Sequence, residues 1–182
     1  MKKIVLVNGI IAGIIVSGIM MISHPLVEDG SIGYDGGMWV GYASMVLALS
    51  MVFIGIKRYR DQVLNGVISF GQAFKVGILI TLIASVMYAV SWDIYYRVAA
   101  SDFTQRYAEH YIEKMEEEGA TREEINSMRD EMEAFSTMYE NTLVRFGMTL
   151  LEILPVGIAI TLLSATILKR RARSPDGAVR TR

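Results

Sequence analysis

Residues 146–168 read FGMTLLEILPVGIAITLLSATIL and carry a single charge, Glu152. A bilayer's hydrocarbon core is about 30 Å thick and a helix rises about 1.5 Å per residue, so a spanning helix takes roughly 20 apolar residues. This stretch has the length and composition to cross. Three others resemble it. Residues 4–22 and 38–56 hold no charge, and residues 76–92 are uncharged between Lys75 and Asp93, with the helix set to begin near residue 74. The spacing therefore predicts an all-α integral membrane protein with four transmembrane helices in a bundle, at about 4–22, 38–56, 74–92 and 146–168.

Composition agrees with this. The 182-residue chain is 52% hydrophobic with a mean hydropathy of +0.36, too apolar for an ordinary soluble domain. Its length fits one domain, residues 1–171, followed by a short basic tail at 172–182. With no Cys, disulfides, thiol nucleophiles and thiolate metal sites are excluded, and two His make a histidine-rich metal centre a poor expectation.

The net charge of -1 hides a segregation. Lys2, Lys3, Lys57, Arg58, Arg60, Lys75, Lys169, Arg170, Arg171, Arg173, Arg180 and Arg182 fall on one side of the four spans, opposed there only by Asp61 and Asp176. The other side has 6 basic residues against 16 acidic ones, so the two sides carry about +10 and -10. Basic loops stay in the cytoplasm. Both termini are expected there, with the acidic loops outside. Lys2 and Lys3 with Val16-Ser17-Gly18 also fit a cleaved signal peptide. The apolar run through Ile19-Met20-Met21-Ile22 suits a retained helix better.

Between Asp93 and Arg145 the chain turns rich in Glu, Met and Tyr, with one Gly and no Pro. Residues 93–145 are read as an extracytoplasmic antiparallel helical hairpin, a stalk continuous with spans three and four. Its break is placed at Glu118-Gly119-Ala120-Thr121: Gly119 suits a left-handed C-terminal cap, and Thr121 with Glu124 has the capping-box pattern. On the returning arm Ile125, Met128, Met132, Phe135, Tyr139, Thr142 and Phe146 alternate by three and four, a heptad seam. Phe103, Tyr107 and Tyr111, with Ile112 and Met115 beside them, supply the facing surface. Glu116, Glu117, Glu118, Glu123 and Glu124 at the tip read as a solvated face without the loop pattern of a calcium site.

Small residues every four positions mark where helices in lipid pack closely. Gly9, Gly13 and Ser17 do so on the first span, Gly37 and Gly41 on the second, and Ala73, Gly77, Thr81, Ser85 and Ala89 on the third, which is expected to lie centrally. Gly9 and Gly13 also fit self-association. Glu152 is the one ionisable group inside a span, so it is expected to face the bundle interior, either as a structural acid or as a cation or proton site. Tyr88, Ser85, Ser91 and Tyr42 are its candidate partners. Pro155 cannot donate a backbone hydrogen bond and favours a kink beside the acid.

Other polar residues have plainer readings. Asn8 and Lys75 suit interhelical bonding and snorkelling near the cytoplasmic ends. Tyr34, Trp39, Tyr42, Trp92, Tyr95 and Tyr96 form an expected interfacial aromatic belt. His24, near Glu28 and Asp29, reads as a capping or solvent-facing residue rather than a metal ligand. Residues 61–74 suit the membrane interface, and the basic tail is expected to be disordered beyond Arg173 and drawn to anionic lipid. No phosphate-binding loop, nucleophile elbow, zinc-binding helix or dinucleotide fingerprint occurs. No cofactor, metal or nucleic acid is expected.

Two strings carry a family resemblance: Ile68-Ser69-Phe70-Gly71-Gln72-Ala73-Phe74-Lys75-Val76-Gly77 and Glu152-Ile153-Leu154-Pro155-Val156-Gly157. With the four-span layout and the polar insert, the chain up to about Arg171 resembles the bacterial integral membrane family "domain of unknown function 4199". The resemblance implies a multi-pass protein of the bacterial inner membrane and no assigned activity. The expected function is non-enzymatic, acting through self-association or a membrane or envelope partner. The alternative is a small cation- or proton-coupled transporter or channel subunit with Glu152 as the ion site.

Overall fold

The structure, a computed structural model, describes residues 1–170. The readings made for the tail at 172–182 lie outside these residues. Among the described residues there are six helices: α1 (Lys2–Glu28), α2 (Gly33–Val63), α3 (Phe70–Ala99), α4 (Phe103–Glu117), α5 (Arg122–Glu140) and α6 (Thr142–Leu168). Of these, α1, α2, α3 and α6 are long and apolar enough to cross a membrane. Each begins or ends beyond its apolar stretch. Composition marks the depth of the bilayer, whereas backbone hydrogen bonding ends a helix only where a cap or turn intervenes.

Those stops are local and chemical. At the start of α3, Ser69 and Gln72 form a reciprocal pair: the Gln72 amide donates to Ser69 Oγ at 3.3 Å and the Ser69 amide to Gln72 Oε1 at 3.1 Å. After α2 the turn uses Asn65 at φ 51° and Gly66 at φ 86°. Ile68 then exchanges backbone hydrogen bonds of 3.1 and 2.9 Å with Arg170. This ties the α2–α3 connection to the end of α6.

The chain divides into two compact units. Among the described residues the first comprises Met1–Met87 with residues 153–170; the second is Tyr88–Glu152. In the first unit, α3 touches all three other apolar helices, as its run of small residues predicts. A Cβ added at Gly9 would meet Ile83, and one at Gly13 would meet Met87. Gly55 lies against Ile80 and Asn8, and Gly77 lies against Thr161, Ile56 and Val52. Gly157 abuts Thr81, whose hydroxyl is 3.2 Å from that of Thr161. These glycines let backbones approach where hydrophobicity gives no drive for helices to associate.

Two expectations are corrected here. Gly41 has open space around it, so only Gly37, which abuts Val27, marks a contact at the start of α2. Gly9 and Gly13 are buried under Ile83 and Met87, so this face is spent within the chain rather than free for a second copy.

In the second unit α4 and α5 pack together, with Thr104 and Ser136 hydroxyls 2.9 Å apart. Their connection is built as expected. Gly119 takes φ 81°, the Ala120 amide donates to Met115 O and the Gly119 amide to Glu116 O, which is the double bond of a Schellman cap. Thr121 and Glu124 form the full capping box. Every seam residue from Ile125 to Phe146 is at least partly buried. The arms are not continuous with α3 and α6, however. The helix breaks at residues 100–102 and again at Asn141, whose Oδ1 accepts from the Leu143 amide at 2.9 Å and so caps α6.

Candidate functional site

The built polar site lies in the second unit, around Arg145. Its side chain is 2% exposed, the largest among the fully buried ones. A charge so placed must be paired and hydrogen-bonded. Asp93 supplies the pair: Arg145 Nε donates to Asp93 Oδ1 at 3.0 Å, and Nη2 donates to the same oxygen. Nη1 donates to the Tyr139 carbonyl at 2.8 Å. The guanidinium carbon stands 4.2 Å from the Tyr96 ring centroid, a cation–π contact. Asp93 also accepts from Arg97 Nε at 3.0 Å, one helical turn on.

Aromatic rings close this site. Trp92 Nε1 donates to Tyr139 Oη at 2.6 Å, and Phe103 meets the Trp92 ring edge-on at 5.4 Å. Tyr96 meets Tyr139 edge-on at 5.5 Å. Burial pushes the Tyr139 phenol up to about 12, so it stays protonated throughout the physiological range. Trp92 and Tyr96 are 7% and 8% exposed. The expected aromatic belt is therefore corrected at these two positions, because α4 and α5 residues cover them. Trp39 and Tyr42 on α2 remain exposed, as a belt requires.

Arg145 and Asp93 enter the sequence reading only as charges that bound spans. The signal that could have found them is an Asp directly after one apolar stretch and an Arg directly before another on the same side. Opposite charges there meet at low dielectric and hold two helices in register.

Glu152 follows on α6, close enough to the phenols of Tyr139 and Tyr88 to act on them electrostatically. It is exposed on α6 and makes no side-chain hydrogen bond or ion pair among the described residues. The inward face of α6 is occupied by Ile153, Gly157, Thr161, Ser164 and Leu168, all buried. Tyr88 is buried, and no hydrogen bond joins it to Glu152. Ser85 is fully buried with its hydroxyl unpartnered, Ser91 is half-buried, and Pro155 is exposed inside the helix.

The remaining candidates are modest. His24 Nδ1 lies 3.3 Å from Glu28 Oε1, one turn along α1. Asn8 donates to Ile4 O at 2.6 Å and leaves its Oδ1 buried without a donor. An open cavity of about 300 Å³ between α4 and α5 is lined by Ala108, Ile112, Met132, Arg129 and Glu133 among others. Among the described residues no three His, Asp or Glu groups gather as a metal ion would need.

Residues 8–170 match the family model described as Protein of unknown function (DUF4199), and the chain belongs to that family. No curated protein and no solved structure matches it.

Proposed function

We propose, with that membership as premise, that the chain is a multi-pass protein of the bacterial cytoplasmic membrane that works by association rather than catalysis. Both termini and the basic α2–α3 connection lie in the cytoplasm, and α4 and α5 form an antiparallel hairpin outside. The segregation of about +10 and -10 across four apolar helices supports this orientation.

One observation carries the association reading. In α6 only 28% of the apolar window is buried, against 50% in α3, and the residues left exposed include the ionisable Glu152. Hydrocarbon covers exposed Leu and Ile at no cost but cannot solvate a polar group, which calls for a protein partner. Glu152 is seven residues past Arg145, roughly 10 Å along the helix.

A photo-crosslinking amino acid at Leu163, 63% exposed on α6, tests this in living cells. The reading predicts adducts with protein. Adducts with lipid alone would overturn it.

A further inference from the structure

In the first unit, the end of α2, the α2–α3 connection and the end of α6 are tied together through basic residues. Ile68 and Arg170 exchange backbone hydrogen bonds, and Arg60 Nη1 donates to the Leu168 carbonyl at 3.5 Å. The Arg60 side chain, 12% exposed, is taken up by Asp61: Nε donates to Oδ1 at 2.6 Å and Nη2 to Oδ2 at 3.2 Å. Asp61 is the only acid at this end among the described residues, and both of its oxygens are engaged. Lys57 and Arg170 lie close enough to that carboxylate to act on it electrostatically. Both are exposed, and neither side chain has a hydrogen bond or ion pair among the described residues. Two free cations are thus gathered around an ion pair that is already neutral.

Their depth decides what they meet. Lys57 directly follows the apolar stretch 38–56, and Arg170 stands two residues beyond Leu168, where the last apolar stretch ends. Basic side chains at such positions reach the level of the lipid headgroups. The connection they border exposes Val63, Val67 and Phe70 at 47%, 39% and 41%, with the Phe70 ring stacked on Phe74 at 6.2 Å. Cations beside uncovered apolar side chains complement an amphiphile with an anionic head.

We propose that this end of the first unit binds an anionic phospholipid, its phosphate held by Lys57 and Arg170 and its acyl chains against Val67 and Phe70. The proposal needs the chain to sit in a membrane but does not need the association reading. An arginine fork suits phosphate oxygens, and a lysine adds a point charge. A zwitterionic lipid brings an ammonium of its own into a field of cations, so the site should prefer phosphatidylglycerol over phosphatidylcholine. A soluble phosphate would satisfy the cations and leave the apolar residues bare.

The test is native mass spectrometry of the full chain, released from detergent micelles holding equal amounts of the two lipids with matched acyl chains. The wild type should retain phosphatidylglycerol over phosphatidylcholine by about fivefold or more. Lys57→Gln with Arg170→Gln should bring the two lipids level. Arg122→Gln with Arg129→Gln removes the same charge from exposed positions on α5 and should leave the preference intact. Asp61→Asn, which removes the one carboxylate nearby and frees Arg60, should raise it.

Equal retention of both lipids by the wild type would overturn the proposal. Equal losses in the two double variants would do so too, since net charge alone would then explain the preference. A fall in preference with Asp61→Asn would contradict the placement of the phosphate, and displacement of the lipid by millimolar glycerol phosphate would show that the site takes a soluble anion instead.

Discussion

The guanidinium of Arg145 and the carboxylate of Asp93 form an ion pair that fastens the first turn of α6 to the C-terminal part of α3 within the Tyr88–Glu152 unit. Arg145 is almost completely enclosed, whereas the Asp93 side chain keeps 17% of its surface. Removing one partner leaves the other charge buried, a loss of about 3–5 kcal/mol. Asp93→Leu and Arg145→Met should therefore each destabilise the protein more than an exposed ion-pair deletion would. The double variant Asp93→Leu with Arg145→Met should fall well short of the summed single losses. Thermal unfolding of the four variants in nanodiscs measures this as a double-mutant cycle. Arg145→Lys should not rescue, because an ammonium cannot reproduce the planar fork between Asp93, the Tyr139 carbonyl and the Tyr96 ring.

Trp92 donates to a phenol oxygen that is itself buried. Tyr139→Phe keeps the ring contacts and deletes the acceptor, leaving the indole N–H unsatisfied at about 1–3 kcal/mol. The expected readout is a lower unfolding temperature with a changed Trp92 emission. Trp39, exposed on α2, supplies the internal reference.

Close backbone approach between α3 and α6 depends on Gly157. A Cβ there would strike the Thr81 side chain, so Gly157→Val should cost about 1–3 kcal/mol through overpacking. Gly41→Ala, with open space around it, should stay within about 0.5 kcal/mol. Unfolding midpoints of the two variants check the contrast.

The α5 capping box has a pH signature. Hydrogen bonds from the Thr121 amide and hydroxyl hold the Glu124 carboxyl below its ordinary value. A carboxyl depressed in the folded state contributes fully above its unfolded pKa, near 4.5, and loses that contribution as pH falls through the lower folded value. Protection factors of the first-turn amides of α5, corrected for the intrinsic exchange rate at each pH, should fall on acidification below that point. Thr121→Ala should weaken the same turn by about 1 kcal/mol at neutral pH.

Which parts of the fold show in the sequence follows from the reach of the forces involved. The four apolar helices, the Thr121–Glu124 box, the Gly119 cap and the α5 seam rest on residues close together in the chain, and each is legible. The start of α3 was equally local, since Ser69 and Gln72 have capping-box spacing, although the apolar stretch beginning at Val76 points further along. The breaks near residue 101 and at Asn141 were hidden by good helix-forming neighbours. The site around Arg145 joins residues 52 positions apart, and no periodicity announces such a pair. Glu152 shows the limit most clearly. Its cost in the bilayer follows from sequence, but its nearness to the phenols of Tyr88 and Tyr139 has no local signal.

Orientation is the claim on which the rest stands, and the absence of cysteine makes it directly measurable. Ala120→Cys, in the α4–α5 connection, and Arg58→Cys, in the basic part of α2, can each be labelled in intact cells with a membrane-impermeant maleimide. The account predicts that Ala120→Cys labels from outside, while Arg58→Cys labels only after the membrane is opened. Protection of Ala120→Cys with labelling of Arg58→Cys would contradict it.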